Sequence, residues 1–504
     1  MITILNKFAL RTLRLLHLRR AHPSGWDVLV IGAGLGGLST AILLTRKGYR
    51  VLVLEKNQVI GGYASQVSYS GVAFDLGAQD ITILGKGGMR IVRQLGLGES
   101  LLPIFPHAVS IYPDHRFVWD SGSAEGTKAY LLESFPTQAN ALRTFFGEMK
   151  AIYHEMDRYL TARKLNSDMR AFPRLSRYHS YTTEQLLKEY FSDTTLMSLL
   201  SSYCLFYQGM PAHSLSALHF VGLLQSYFDT GAYYANGGIG SLSNKLRVQL
   251  EELGGRVESG TCVNGVMMDG GRACGVSLAD GRNLYGGAVV ANMDPRILYS
   301  KLLPQSDLAK PVTYEPKADH LSRCQIFVSM DDDAPELPFV TFYATTYDKT
   351  EEYQAFVNGV PLSMRIFCPP GSPRTLSIAV PAPYKFWQSV RTSGLESYED
   401  MKQVLTERLL GMLRNAYPTL AGKVRVVGMV TPLDLENWSG NSGGSLYGAD
   451  AIPGQSGLRS AAIASPLSGL FLTGQWSAGG SATLVLRGAA LSAAMVNLYL
   501  RRSY

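Results

Sequence analysis

The sequence is poor in cysteine, poor in charge and free of repeats, and each shortage removes a class of protein. Its five cysteines, Cys204, Cys262, Cys274, Cys324 and Cys368, are odd in number and show no CxxC or other metal-ligand spacing, so neither a disulfide framework nor a zinc site is expected. The histidines are equally scattered, a lone one such as His219 reads as a structural residue, and no metal is assigned. Charged residues make up only 17% of the chain against 46% hydrophobic, which excludes a disordered protein and leaves enough apolar surface for a large core. No internal repeat or low-complexity tract divides the 504 residues, a length that suits two or three domains of ~100–200 residues. The net charge of +7 is dispersed and no RNA- or DNA-binding motif accompanies it, so nucleic acid is not an expected partner. Long uncharged apolar runs are missing too: the stretch Ala482 to Leu500 contains Arg487 and Asn497 and reads as a buried helix.

Acidic residues are absent from Met1 to Trp26, where Lys7, Arg11, Arg14, Arg19 and Arg20 alternate with aliphatic side chains. Lys7, Arg11 and Arg14 fall at i, i+4 and i+7, one face of a helix, with apolar residues on much of the rest. Residues 1–24 are therefore expected to lie in a bilayer interface, which places the protein as a peripheral membrane protein on the cytoplasmic face. An Arg-rich presequence to an organelle such as a plastid and an unstructured tail are the competing readings, and the shortage of serine counts against the presequence.

What is present begins with Asp27-Val-Leu-Val-Ile31, a short apolar run of buried-strand type, followed at once by Gly32-Ala-Gly34-Leu-Gly36-Gly37 and then by apolar residues at helical spacing. In this strand–turn–helix unit Gly32 permits the turn, Gly34 lets the backbone approach a pyrophosphate, and Gly37 lets helix and strand pack closely. A second strand, Arg50-Val-Leu-Val-Leu54, delivers Glu55 where a ribose-binding acid belongs; its charge disfavours a 2′-phosphate and hence NADP. Glu55-Lys56 leads into Gly61-Gly62-Tyr63-Ala64 and then Phe74-Asp75-Leu76-Gly77. A second glycine pair beyond the ribose acid allows another close backbone approach, as an extended FAD requires and NAD does not. No second nucleotide unit is expected, because Gly237-Gly-Ile-Gly240 lacks a third glycine at the required spacing.

At these residues the chain resembles the flavoprotein group that includes bacterial-type phytoene desaturases, plant carotenoid isomerase and retinol saturase. The resemblance continues through Tyr207-Gln-Gly209-Met-Pro211, Tyr233-Tyr234-Ala-Asn-Gly237-Gly238, Gly254-Gly255-Arg-Val257 with Thr261-Cys-Val263, Val289 to Pro295, Thr431-Pro432, Gly443-Gly444-Ser-Leu-Tyr447-Gly448 and Gly469 to Gly474. It implies that the Val263 backbone meets the adenine, and that the helix opened by Gly479-Gly480 points its N-terminus, around Thr483 and Leu484, at the flavin ring. Two departures stand out: Gly474-Gln475 replaces the Gly-Asp common in flavoproteins, leaving Gln475 as the side chain for a ribityl or phosphate contact, and Gly480 to Leu484 lacks the family's proline.

The expected fold is α/β, with a discontinuous Rossmann-type FAD-binding domain at 25–105, 230–300 and 460–504. Residues 106–229 and 301–459 form an inserted mixed α+β substrate domain, with helices at Ala141–Leu160, Thr183–Leu200 and Tyr398–Ala416 and strands at Gln325–Ser329, Met364–Cys368 and Thr375–Val380. The 27 tyrosines and 19 phenylalanines suit an aromatic-lined pocket between the layers, although a core uses the same residues.

The resemblance implies an FAD-dependent oxidoreductase that desaturates, saturates or isomerises a hydrophobic isoprenoid polyene. An amine-oxidase or protoporphyrinogen-oxidase type of flavoenzyme is an alternative. So is a non-enzymatic prenyl-lipid escort of the Rab GDP-dissociation-inhibitor type, against which the intact phosphate glycines argue. No feature fixes a general base: Glu436, Asp434, Tyr207, Tyr233, Tyr234 and Tyr447 are candidates by position only, and no catalytic residue is assigned.

Overall fold

The computed structural model describes residues 25–161, 169–303, 321–371, 374–454 and 465–503. The basic segment 1–24 lies outside them. The first strand, Trp26–Ile31, pairs in parallel with Val51–Leu54 on one side and Asn283–Ala291 on the other. Arg256–Glu258 extends one edge and Leu470–Leu472 continues beyond Asn283–Ala291, both in parallel. Val28, Leu29 and Val30 are fully buried, the condition under which a parallel strand reads as a continuous apolar run. A hairpin, Val263–Asp269 with Arg272–Leu278, joins the opposite end of Asn283–Ala291 in antiparallel pairing.

Helix Leu35–Thr45 has every residue buried. It packs against Ile239–Glu252 and Ala482–Ser503, whose cover on several sides explains why its sequence shows no polar face. Ala482–Ser503 is itself buried along one side only, and Leu498 is half exposed. By length and composition it is the one helix among the described residues apolar enough to cross a membrane.

A second seven-stranded sheet runs in the order Val424–Val430, Ser322–Met330, Thr375–Ala382, Ser363–Phe367, Val340–Ala344, Ala108–Ile111, Arg116–Trp119. Its central strands Ser363–Phe367 and Thr375–Ala382 are buried at every position. Together with helices that include Ala139–Thr161 and Ala217–Asp229, it encloses the largest apolar core. A small sheet of Ile81–Thr82, Ala232–Ala235 and Leu101–Ile104 stands apart from both seven-stranded sheets.

Most predicted elements of this layer form with slightly wider limits, such as Ser322–Met330 and Leu395–Ala416. The single helix expected at Thr183–Leu200 is two, Thr183–Tyr190 and Thr194–Leu200. Phe191 takes an extended backbone, and the Asp193 carboxylate accepts from the Leu196 amide at 2.9 Å to start the second helix.

Candidate active site

The ends of the parallel strands meet in a glycine cradle. Gly32 turns the chain with φ of 93°, where a Cβ would stand 2.6 Å from the Asn292 carbonyl oxygen. A Cβ on Gly37 would lie 2.0 Å from the Gly32 carbonyl oxygen, so helix Leu35–Thr45 starts in direct contact with the turn. Gly34 is the N-cap of that helix and caps it with no side chain, which leaves first-turn amides free for an anionic group. From the second glycine pair, a Cβ on Gly62 would sit 3.7 Å from the Gly34 Cα. Gly474 approaches from the last strand, its φ of 84° placing a Cβ 2.1 Å from the Asn292 side-chain oxygen. Asn292 thus stands at the centre, donating from Nδ2 to the Gly32 carbonyl at 3.2 Å. Asn292 was not among the expected site residues, because its place depends on the pairing of distant strands.

A cavity of about 450 Å³ runs along this cradle. Gly32, Gly34, Glu55, Lys56, Gly61, Gly62, Tyr63, Ala64, Val263, Gly474 and Gln475 all line it; Gly37 lies behind it, and Thr483 and Leu484 face a smaller side pocket. Glu55 accepts from the Ala33 amide at 2.8 Å and the Asn57 amide at 3.0 Å, one bond to each oxygen, so lone pairs remain for ribose hydroxyls. Lys56 donates to the Asn437 carbonyl at 2.9 Å, and the Trp438 ring nitrogen donates to the Gly62 carbonyl at 3.2 Å; together they fix the last turn of helix Pro432–Ser439 over the cavity. Tyr63 shares a hydrogen bond of 3.0 Å with Ser439, and burial pushes its phenol up to about 12. The Gln475 amide donates to the Ser445 carbonyl at 3.3 Å. Two side-chain-free surfaces facing one cavity, an acid at one end and helix amides between, fit FAD.

Beyond the cradle the cavity reaches the second sheet. Arg323 and Gln325 alternate on one strand, and Gln325 and Arg365 both pair with Ala379, which puts the three in adjoining rows. They hold the segment Asp75 to Asp80. Arg323 donates to the carbonyls of Leu76 and Gly77 at 2.7 and 3.0 Å, Gln325 to that of Asp75 at 3.0 Å, and Gln79 to the Ser377 hydroxyl at 2.7 Å. Arg365 donates to Gln79 at 2.7 Å and forms a buried ion pair with Asp80. The other Asp80 oxygen accepts from Tyr207 at 2.7 Å and Tyr227 at 2.6 Å, and contacts His107 Nε2 at 3.0 Å. His107 Nδ1 lies 2.9 Å from the Tyr203 hydroxyl.

Burial alone would raise the Asp80 carboxyl, but Arg365, His107 and Tyr227 hold it well below the usual carboxylate range. Burial lowers His107, so its ring stays neutral and donates from Nε2. Burial and Asp80 raise Tyr207 and Tyr227 well above 10. Burial brings Arg323 down to about 10. Of the six positional candidates, Tyr207 and Tyr447 line the cavity. The rest have structural bonds: Glu436 accepts from Gly443, Asp434 caps its helix, Tyr233 donates to the Thr230 carbonyl and Tyr234 to Asp75. His219 lines the side pocket, and burial lowers it to about 4. No cluster of metal-ligating side chains occurs among the described residues.

The family described as flavin containing amine oxidoreductase matches residues 35–496. The chain is 27% identical to all-trans-retinol 13,14-reductase of Rattus norvegicus over 508 aligned residues, covering 90% of this chain and 82% of that protein. It is 29% identical to phytoene desaturase (neurosporene-forming) of Rhodobacter capsulatus over 287 residues, covering 55% and 54%. Against prolycopene isomerase of Arabidopsis thaliana the figures are 25% over 308 residues, covering 58% and 51%. Among solved structures, a Methanosarcina mazei oxidoreductase aligns with a TM-score of 0.61 at 16% identity, covering 92% of this chain and 99% of that one. A putrescine oxidase mutant aligns at 0.62 and 16%, covering 94% and 99%. At these identities the solved structures speak to the fold alone.

Proposed function

Because the chain belongs to the flavin containing amine oxidoreductase family and is an FAD-dependent oxidoreductase, we propose that it acts on an isoprenoid polyene of the retinoid or carotenoid kind. Saturation of one double bond is the preferred reaction, with desaturation and cis-trans isomerisation using the same scaffold. The observation that carries this reading is the alignment of nine tenths of the chain with a retinol reductase, whereas the desaturase and isomerase align over 55% and 58%.

FAD, when bound, supplies hydride chemistry at its ring. The chain's own part is to hold the cofactor and to shape the space beside it. Glu55 is assigned to the ribose, the Gly32–Gly37 turn with Gly61, Gly62 and Gly474 to the pyrophosphate, and Val263 to the adenine. The FAD-binding unit is taken as 25–105, 230–300 and 460–504, supported by the strands of the first sheet all falling in these ranges. The remaining ranges, 106–229 and 301–459, contribute the second sheet and the far wall of the cavity.

An amine substrate, which the family description also allows, fits the far wall less well. Two guanidinium groups, Arg323 and Arg365, face one carboxylate there, an excess of positive charge that repels an ammonium ion. We also place the protein at the cytoplasmic face of a membrane through residues 1–24, where a lipid-soluble substrate is concentrated.

The test is the visible spectrum of anaerobic holoprotein mixed with retinoids, carotenoid precursors and amines, before and after chemical reduction of the flavin. Reoxidation of reduced holoprotein by a polyene, with a product two hydrogens richer, supports saturation. Bleaching of oxidised holoprotein by a polyene establishes desaturation. Bleaching by amines alone overturns the polyene reading.

A further inference from the structure

Helices Gly85–Gln94 and Ala482–Ser503 pack together, and neither contains an acidic residue. With the end of Ala139–Thr161 they border a second cavity, of about 740 Å³, on the far side of the side pocket from the glycine cradle. Arg90, Arg93 and Arg487 line it, and none of the three forms an ion pair or a side-chain hydrogen bond among the described residues. The one acid on its lining, Asp157, faces the Gly87 amide at 3.4 Å. Arg90 and Arg93 are exposed and solvated, whereas Arg487 is partly buried. The Tyr159 phenol is the one ionisable group acting on Arg487, and burial brings the guanidinium down to about 10. A cation withdrawn from water with no counter-ion is destabilising, and a bound anion removes that penalty.

The rest of the lining is largely apolar. Leu84 and Leu160 belong both to this cavity and to the side pocket, and the side pocket shares Thr82, Leu223 and Ser481 with the cavity along the cradle. Three spaces therefore follow one another from the surface inward. Outward, Arg487, Leu491, Ala494, Leu498 and Arg501 recur at helical spacing on one face of Ala482–Ser503, where Ala494, Leu498 and Arg501 are exposed. Apolar side chains between cations, beside a groove that holds an uncompensated guanidinium, match the chemistry of an anionic lipid.

We propose that this second cavity binds one anionic phospholipid, its phosphate at Arg487 with Arg90 and Arg93 beside it, and an acyl chain against Leu84 and Leu160. The site is separate from residues 1–24 and from the glycine cradle, and it holds whatever the substrate of the flavin is. A phosphate accepts from a guanidinium through two oxygens and supplies the counter-ion that Arg487 lacks. Free inorganic phosphate offers the same head but leaves the leucines unfilled. A zwitterionic lipid brings an ammonium group that three arginines repel. The bound chain ends against the side pocket, so the lipid occupies the outer end of the route toward the cradle.

The experiment is calorimetric titration of full-length holoprotein with dihexanoyl phosphatidylglycerol, dihexanoyl phosphatidylcholine and inorganic phosphate, the lipids kept monomeric. Phosphatidylglycerol is expected to bind at one per chain and at least about tenfold more tightly than either of the others. Arg487→Gln should weaken it about tenfold or more and leave the flavin content unchanged. Leu160→Trp, which fills the apolar end, should weaken phosphatidylglycerol at least about threefold and leave inorganic phosphate unaffected. Equal affinities for the two lipids, or a phosphatidylglycerol constant that Arg487→Gln does not change, would overturn the proposal; the second result assigns the binding to the basic segment 1–24. Inorganic phosphate binding as tightly as phosphatidylglycerol also overturns it, in favour of a free-phosphate site. If Arg487→Gln loses flavin, the ratio of the two lipids in the unmodified protein and the Leu160→Trp variant decide.

Discussion

The Glu55 carboxylate accepts a hydrogen bond from the Ala33 amide at 2.8 Å, so the acid that ends the second strand and the glycine turn that follows the first form one unit. Its other oxygen takes the Asn57 amide. Glu55→Gln turns one of these acceptors into an N–H that faces another N–H. FAD affinity is expected to fall about 10- to 100-fold, corresponding to ~1–3 kcal/mol for an unsatisfied buried group. Fluorescence titration of apoprotein with FAD measures it, and an unchanged constant would remove Glu55 from the site.

Asp80 and Arg365 are each about 3% exposed and pair with one another. Asp80→Asn leaves a buried guanidinium without its counter-ion and is expected to cost about 3–5 kcal/mol. The double variant Asp80→Asn, Arg365→Met removes both charges and should melt above the single variant. Thermal unfolding of the three holoproteins gives the order, and a double variant that melts below the single one contradicts the pairing.

His219 is held near 4 by burial, against 6.5 for a free imidazole. Between these values the unfolded chain binds a proton there that the folded chain does not, so stability is lost as pH falls from 6.5 toward 4 and levels off below. At ~1.4 kcal/mol per pH unit the loss reaches at most about 3.5 kcal/mol. His219→Leu should flatten this part of the profile, which unfolding curves at pH 7, 6, 5 and 4 will show.

Removal of residues 1–24 is expected to release the protein from vesicles containing anionic lipid while leaving its flavin content intact. Co-sedimentation with such vesicles, with the bound flavin assayed in each fraction, separates the two effects. Undiminished sedimentation assigns membrane binding to another surface.

The first sheet was legible because its signals are local: an apolar run, three glycines at fixed spacing, and an acid one strand later. The far wall of the cavity was not. Asp80 meets Arg365 across 285 residues and His107 across 27, through pairing of strands whose register no local pattern gives. A trace did exist in Ser322–Met330, where Arg323 and Gln325 alternate within a mostly apolar strand, and in the lone Arg365 of Ser363–Phe367. A charge at an inward strand position requires a buried partner, and that requirement marks a site. The break at Phe191 is not legible in the sequence because apolar spacing continues across it, and only the cap at Asp193 divides the two helices.

The strand Leu470–Leu472 and Gly474 complete the glycine cradle, and Gly474 presses against Asn292. This sets an order on biogenesis. While the ribosome is still translating the second sheet, the emerging chain carries the first turn and Asn292 but lacks the last wall around them. The cradle is therefore closed only once residues 470–474, near the end of the chain, have been synthesised.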